Sequence, residues 1–110
     1  MATINFSKLI KDMLEAAKGQ LSGHWGEAKP YAEKEIKSFA ENIKLIIKLK
    51  AAGKINEEQA KLYMDIQRSS MRIVLLTIQG LGILAVEAAI NAAIDVVRST
   101  VNTALGWAIL

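Results

Sequence analysis

Apolar side chains recur every three or four residues through the first half of the chain, the spacing of one face of an α-helix. This pattern predicts a first helix over about residues 4–21 and a second over about residues 29–52. Gly23 and Gly26 mark the segment between them, 22–29, as a linker. Pro30 then falls in the predicted first turn of the second helix, where its missing N–H is tolerated.

The stretch AAGKINEEQAK, residues 51–61, has the features of a tight join between two helices. Gly53 suits the left-handed position that follows a helix end. Asn56 suits the N-cap of the next helix, and Gln59 three residues later completes a capping box. Because the join is short, the pattern predicts that the second and third helices form an antiparallel hairpin.

After Asn56 the helical pattern has no clear stop before about Gly106, and Gly80 and Gly82 are its only weak points. A continuous helix of about 49 residues would be roughly 73 Å long, about twice the length of the second helix. The alternative is a turn near 80–82, which gives a four-helix bundle. The stretch TIQGLGIL lacks the polar residues of a solvated turn, so continuity is favoured. The predicted fold is one all-α domain over residues 1–110, with a long apolar third helix over about 57–106.

Residues 73–97, IVLLTIQGLGILAVEAAINAAIDVV, first resemble a membrane span. Ten of residues 73–91 are Ile, Leu or Val and favour insertion by about 3–6 kcal/mol. A central Glu87 costs about 2.5–3.5 kcal/mol and other polar residues add to this, so the free energy of insertion is near zero or unfavourable. In helical projection five polar residues from position 87 onward fall within one narrow strip, which is typical of a helix packed on most sides with one edge in water. The residues of this polar stripe are Glu87, Asn91, Asp95, Arg98 and Asn102.

The third helix carries more apolar surface than two shorter helices can cover. One stripe consists of Leu62, Ile66, Ser69, Ile73 and Leu76, and a second of Ala60, Met64, Gln67, Met71, Val74 and Ile78. Further along, small residues follow a heptad spacing that permits close helix approach. Self-association is the simplest source of the missing neighbours. The predicted oligomer interface is Ile73, Leu76, Gly82, Ala85, Ala89, Ala92 and Val96.

Charge divides the chain in two. Residues 1–69 hold 12 Lys and Arg and 9 Asp and Glu, whereas residues 70–110 hold only two of each sign. Lysines of the second helix alternate with acids, which indicates a solvated face rather than a nucleic-acid surface. There is no cysteine, and His24 is the only histidine, so neither a metal nor any other cofactor is expected.

No catalytic constellation is apparent, and an enzyme is not expected. The favoured hypothesis is a structural or interaction protein that forms a homo-oligomer through its apolar C-terminal half. A membrane-inserting or membrane-associated protein is the first alternative, with lipid as partner, and a carrier of a small apolar ligand is the second. Asp12 and Glu15 interrupt the region where a signal peptide would be apolar, so we expect a cytoplasmic or membrane-peripheral location.

Overall fold

The computed structural model describes residues 3–110, and these residues form helices and turns without a β-strand. The four helices are α1, Phe6–Leu21; α2, Trp25–Ala51; α3, Glu57–Leu76; and α4, Ile83–Leu105. A 3₁₀ turn, Ser22–His24, joins α1 to α2. The all-α prediction is confirmed.

The helices are arranged as a ring in which α1 packs against α2 and α4, and α3 packs against α2 and α4. Tyr63 donates a hydrogen bond to Asn42 (2.9 Å), and Ser70 donates one to Glu35 (2.9 Å). These two pairs run in opposite directions along α2 and α3, which are therefore antiparallel. Each helix reverses the direction of the previous one, as in an up-down-up-down bundle.

The core forms along the bundle axis, where the apolar faces of the four helices meet. Burial of these side chains is the main favourable contribution to folding. The largest wholly buried side chains are Met13 and Leu21 of α1, Phe39, Ile43 and Ile46 of α2, and Val86, Ile90, Ile94 and Val101 of α4. α3 contributes Ala60, Met64, Met71 and Leu75 to the same core.

The α2–α3 connection has the predicted chemistry. The Asn56 side chain accepts a hydrogen bond from the Gln59 amide (2.8 Å), and the Gln59 side chain accepts one from the Asn56 amide (3.0 Å). Gly53 adopts the left-handed conformation, with φ of 68°. The capping box and the antiparallel hairpin are thus both observed.

The favoured continuous helix over 57–106 is wrong, because the chain turns at residues 77–82 as the bundle alternative requires. The Leu81 amide donates to the Ile78 carbonyl (3.2 Å), closing a β-turn in which Gly80 has φ of 91°. That value suits the third position of a type II turn, which favours glycine. The turn contains apolar residues because Ile78 and Leu81 are buried in the core.

The predicted start of the second helix is also displaced. α2 begins at Trp25 rather than near residue 29, because the 3₁₀ turn reverses the chain within three residues. Ser22 has a positive φ of 46° at this reversal. Pro30 consequently lies in the second helical turn, opposite the Gly26 carbonyl that would otherwise accept its amide hydrogen.

Candidate interaction surface

α3 has two apolar faces, and only one of them is used within the chain. Its inner face is buried against α2 and α4. On its outer face Leu62 is 57% exposed, Ile66 66%, Ile73 65% and Leu76 40%. We call Leu62, Ile66, Ser69, Ile73 and Leu76 the α3 stripe; no other helix of the described chain covers it.

Single exposed apolar residues are ordinary on protein surfaces, whereas a continuous row of them points to an interaction site. The α3 stripe follows successive spacings of four, three, four and three residues. This is the alternation by which one helix packs along another. Ser69 lies at its centre and is exposed, so a second helix can approach most closely there.

The charges of α3 are divided between its two halves. Residues 57–65 hold three acids and one lysine, a net charge of −2, and residues 66–76 hold two arginines, a net charge of +2. An antiparallel copy of the same helix would place each half against the half of opposite sign. A parallel copy would place like charges together, which is unfavourable.

The structure divides the residues of the predicted oligomer interface. Ile73 and Leu76 belong to the α3 stripe, while Gly82 is the exposed N-cap of α4. On α4 itself, Ala85 and Ala92 are half-buried and Val96 is half-exposed. Ala89 lies in the chain's own core beside Ala17 of α1, and is not accessible to a second copy in this fold.

Two members of the polar stripe connect α4 to α3. Arg72 forms an ion pair with Glu87, and Arg68 donates a hydrogen bond to Asn91 (3.1 Å). The hydrogen bond from Arg72, with the positive charges of Arg72 and Arg68, lowers the pKa of Glu87 below its ordinary range. The hydrogen bond to Glu87 raises the pKa of Arg72 above its ordinary value.

The remaining members of the polar stripe contact residues of α4 itself or of the segment that follows it. Asp95 and Arg98 pair at 2.6 Å, as their i,i+3 spacing predicts. The Asn102 side-chain oxygen accepts hydrogen bonds from the Ile109 and Leu110 amides (both 3.1 Å), and its nitrogen donates to the Leu110 carbonyl (3.3 Å). The polar stripe is therefore largely a set of intrachain contacts. Arg68 and Arg72 are four residues apart, as are Glu87 and Asn91, and this shared spacing indicates the contacts only once α3 and α4 are recognised as separate helices.

Residues 3–110 contain no cluster of three or more His, Asp or Glu side chains suited to a metal ion. His24 lies instead at the α1–α2 turn, beside Gly80. None of the helices in the described chain combines the length and the hydropathy needed to cross a membrane. Residues 73–97 comprise the end of α3, the turn and the first part of α4.

Comparisons with protein-family models, with curated proteins and with solved structures gave no match to this chain.

Proposed function

We propose that this chain is a non-enzymatic interaction protein that pairs with a second copy of itself through the α3 stripe. The observation that carries the proposal is the row of large apolar side chains left exposed on a well-packed helix. Pairing buries this row and removes the apolar surface from water, which is the main driving force of most protein association.

The second copy is the occupant that the charge pattern favours. A twofold axis near Ser69 brings the −2 half of each α3 against the half of the other that carries Arg68 and Arg72. Arg72 is already paired with Glu87 of its own chain, so Arg68 supplies most of the attraction. Such an interface is self-complementary, because the same patch serves both copies. The helix dipoles are then antiparallel as well, which agrees with the same orientation.

Sedimentation equilibrium without detergent tests the pairing directly. The chain mass is 12.0 kDa, and we expect twice that value at micromolar concentration. The double variant Ile66→Lys/Ile73→Lys is expected to return the mass to that of one chain. Its urea midpoint should change little, because both side chains are mostly exposed.

The matched control is Tyr31→Lys/Leu45→Lys, which adds the same charge at exposed apolar positions of α2. We expect this variant to remain paired. A wild-type mass of one chain at all concentrations would contradict the proposal. Loss of pairing in Val96→Lys, with Ile66→Lys/Ile73→Lys still paired, would instead assign the interface to α4.

The orientation can be tested by cross-linking, since the natural chain has no cysteine. In the antiparallel pair Ser69→Cys lies near the axis and should form an intermolecular disulfide on mild oxidation. Leu62→Cys is seven residues away, so the two copies of this cysteine are about 21 Å apart, far beyond disulfide reach. Efficient cross-linking of both variants would indicate a parallel pair and contradict the charge argument.

A lipid surface is the competing occupant of the α3 stripe. Flotation with anionic and neutral vesicles distinguishes it from a second copy. The membrane alternative replaces self-association if three results are found together. The wild type floats with vesicles, the Ile66→Lys/Ile73→Lys variant does not float, and both have the mass of one chain in solution.

A further inference from the structure

A cavity of about 540 Å³ opens at the end of the bundle where α1 begins and α2 and α4 end. Its walls are mainly apolar, and α3 does not contribute to them. The principal lining residues are Ile4, Phe6, Ile47, Lys50, Ala104 and Leu105. Its volume lies within the range of roughly 300–1,000 Å³ that is usual for small-molecule sites.

Lys50 is the only charged side chain among the described residues that line this cavity. Its ammonium group donates to the Leu105 carbonyl and lies 4.6 Å from the centre of the Trp107 ring. Lys44 lies nearby, with its ammonium group 5.0 Å from the centre of the Phe6 ring. No carboxylate of the described chain forms an ion pair with Lys50, whereas Lys44 pairs with Glu41.

An ammonium group has three N–H donors, and the Leu105 carbonyl accounts for one of them. Lys50 therefore presents a positive charge and donor capacity beside an apolar cavity. An anion held there gains a charge-assisted hydrogen bond, which is stronger than a bond between neutral groups. The charge and the apolar walls together specify a ligand with an anionic head and a hydrocarbon tail.

We propose that this cavity binds a free, single-chain carboxylate amphiphile, a fatty acid, with its carboxylate on Lys50 and its alkyl chain among Ile4, Phe6 and Ile47. One hydrocarbon chain matches a single cavity with one cation. The site shares no residue with the α3 stripe. Self-association can therefore be absent in a chain that binds the ligand, and ligand binding can be absent in a chain that self-associates.

Titration calorimetry with decanoate and decanol, below the micelle threshold, separates the role of the head from that of the tail. We expect decanoate to bind with one molecule per chain and about tenfold or more tighter than decanol. Lys50→Met keeps the length of the side chain and removes its charge. It should weaken decanoate binding about tenfold and leave decanol binding unchanged. Lys50→Arg should restore decanoate binding.

Ala51→Phe tests the cavity itself, because Ala51 lines it and is exposed at the end of α2. We expect this variant to lose both ligands. Ala52→Phe, at the next exposed position and not part of the lining, is the matched control and should bind both. Urea midpoints establish that each variant is folded.

Three results would overturn the proposal: no binding of decanoate to the wild-type chain, equal decanoate affinity in Lys50→Met and wild type, or binding to anionic phospholipid vesicles without binding of monomeric decanoate. In native mass spectrometry the expected result is one added decanoate mass on the wild-type chain and none on Ala51→Phe.

Discussion

The connections before and after α3 both reverse the direction of the chain, but they do so by different physical means. The α2–α3 connection is mostly exposed, and the capping box at Asn56 defines it. The α3–α4 connection has no such capping side chain at Gly82, and its apolar residues Ile78 and Leu81 are buried. The first is specified by local backbone chemistry and the second by packing against the rest of the bundle.

Both connections nevertheless contain a glycine with positive φ, Gly53 at 68° and Gly80 at 91°. A Cβ at Gly53 would meet no atom within 4 Å, whereas a Cβ at Gly80 would lie 3.0 Å from His24 Nε2. The second turn therefore packs against the α1–α2 connection. One turn can be changed locally, and the other cannot be changed without disturbing a second connection.

The largest expected difference between the connections lies in their apolar side chains. Leu81→Ala should lower the free energy of unfolding by about 2–5 kcal/mol, since it removes a buried side chain and leaves a cavity. Ile55→Ala, at the half-buried apolar position of the α2–α3 connection, should cost less. Urea unfolding measures both. Gln79→Ala, at an exposed neighbour, is the control, and an equal loss in Leu81→Ala and Gln79→Ala would refute the packing argument.

A smaller difference is expected at the glycines. Gly53→Ala should cost about 1–2 kcal/mol, because alanine is strained in the left-handed region. Gly80→Ala should cost roughly 1–3 kcal/mol and exceed Gly53→Ala, since the backbone strain is accompanied by the approach of His24. In a His24→Ala background the cost of Gly80→Ala should fall toward that of Gly53→Ala. If Gly80→Ala costs the same free energy in both backgrounds, the α3–α4 and α1–α2 connections are energetically independent.

The smallest effect is expected from the ion pair that joins the helices flanking the apolar turn. Because the pKa of Glu87 is lower in the folded than in the unfolded chain, its contribution is present above the unfolded pKa and disappears as the pH falls through the folded one. Glu87→Gln should lower the urea midpoint slightly at neutral pH, and the difference from wild type should disappear as the pH falls through the lowered pKa of Glu87. Glu15→Gln, at an exposed site on α1, is the control. A difference that grows on acidification would contradict the assignment.

Sequence reasoning succeeded where structure depends on local chemistry. The hairpin followed from Gly53, Asn56 and Gln59, and the two faces of α3 followed from its periodicity. The break at 77–82 was only the less favoured alternative, because Ile78 fits a helical stripe as well as a packed turn. Only the positions of the other helices decide between a continuous helix and a packed turn.

The same limit applied to the candidate surfaces. Ala89 was assigned to an interface because the sequence does not show that α1 occupies that side of α4. The contacts of Arg72 and Arg68 with the polar stripe could not be foreseen while α3 and α4 were treated as one rod. The cavity beside Lys50 is built from three separate segments, so no local pattern predicts it.

The exposed α2–α3 connection also bears on where the chain can accept added sequence. New residues could be inserted between Gly53 and Ile55 without uncovering the core, because Gly53 and Lys54 are exposed. Residues 78–81 offer no such opening, because Ile78 and Leu81 are buried in the core. In engineering terms, the molecule has one helix junction suited to insertion and another that must stay closed.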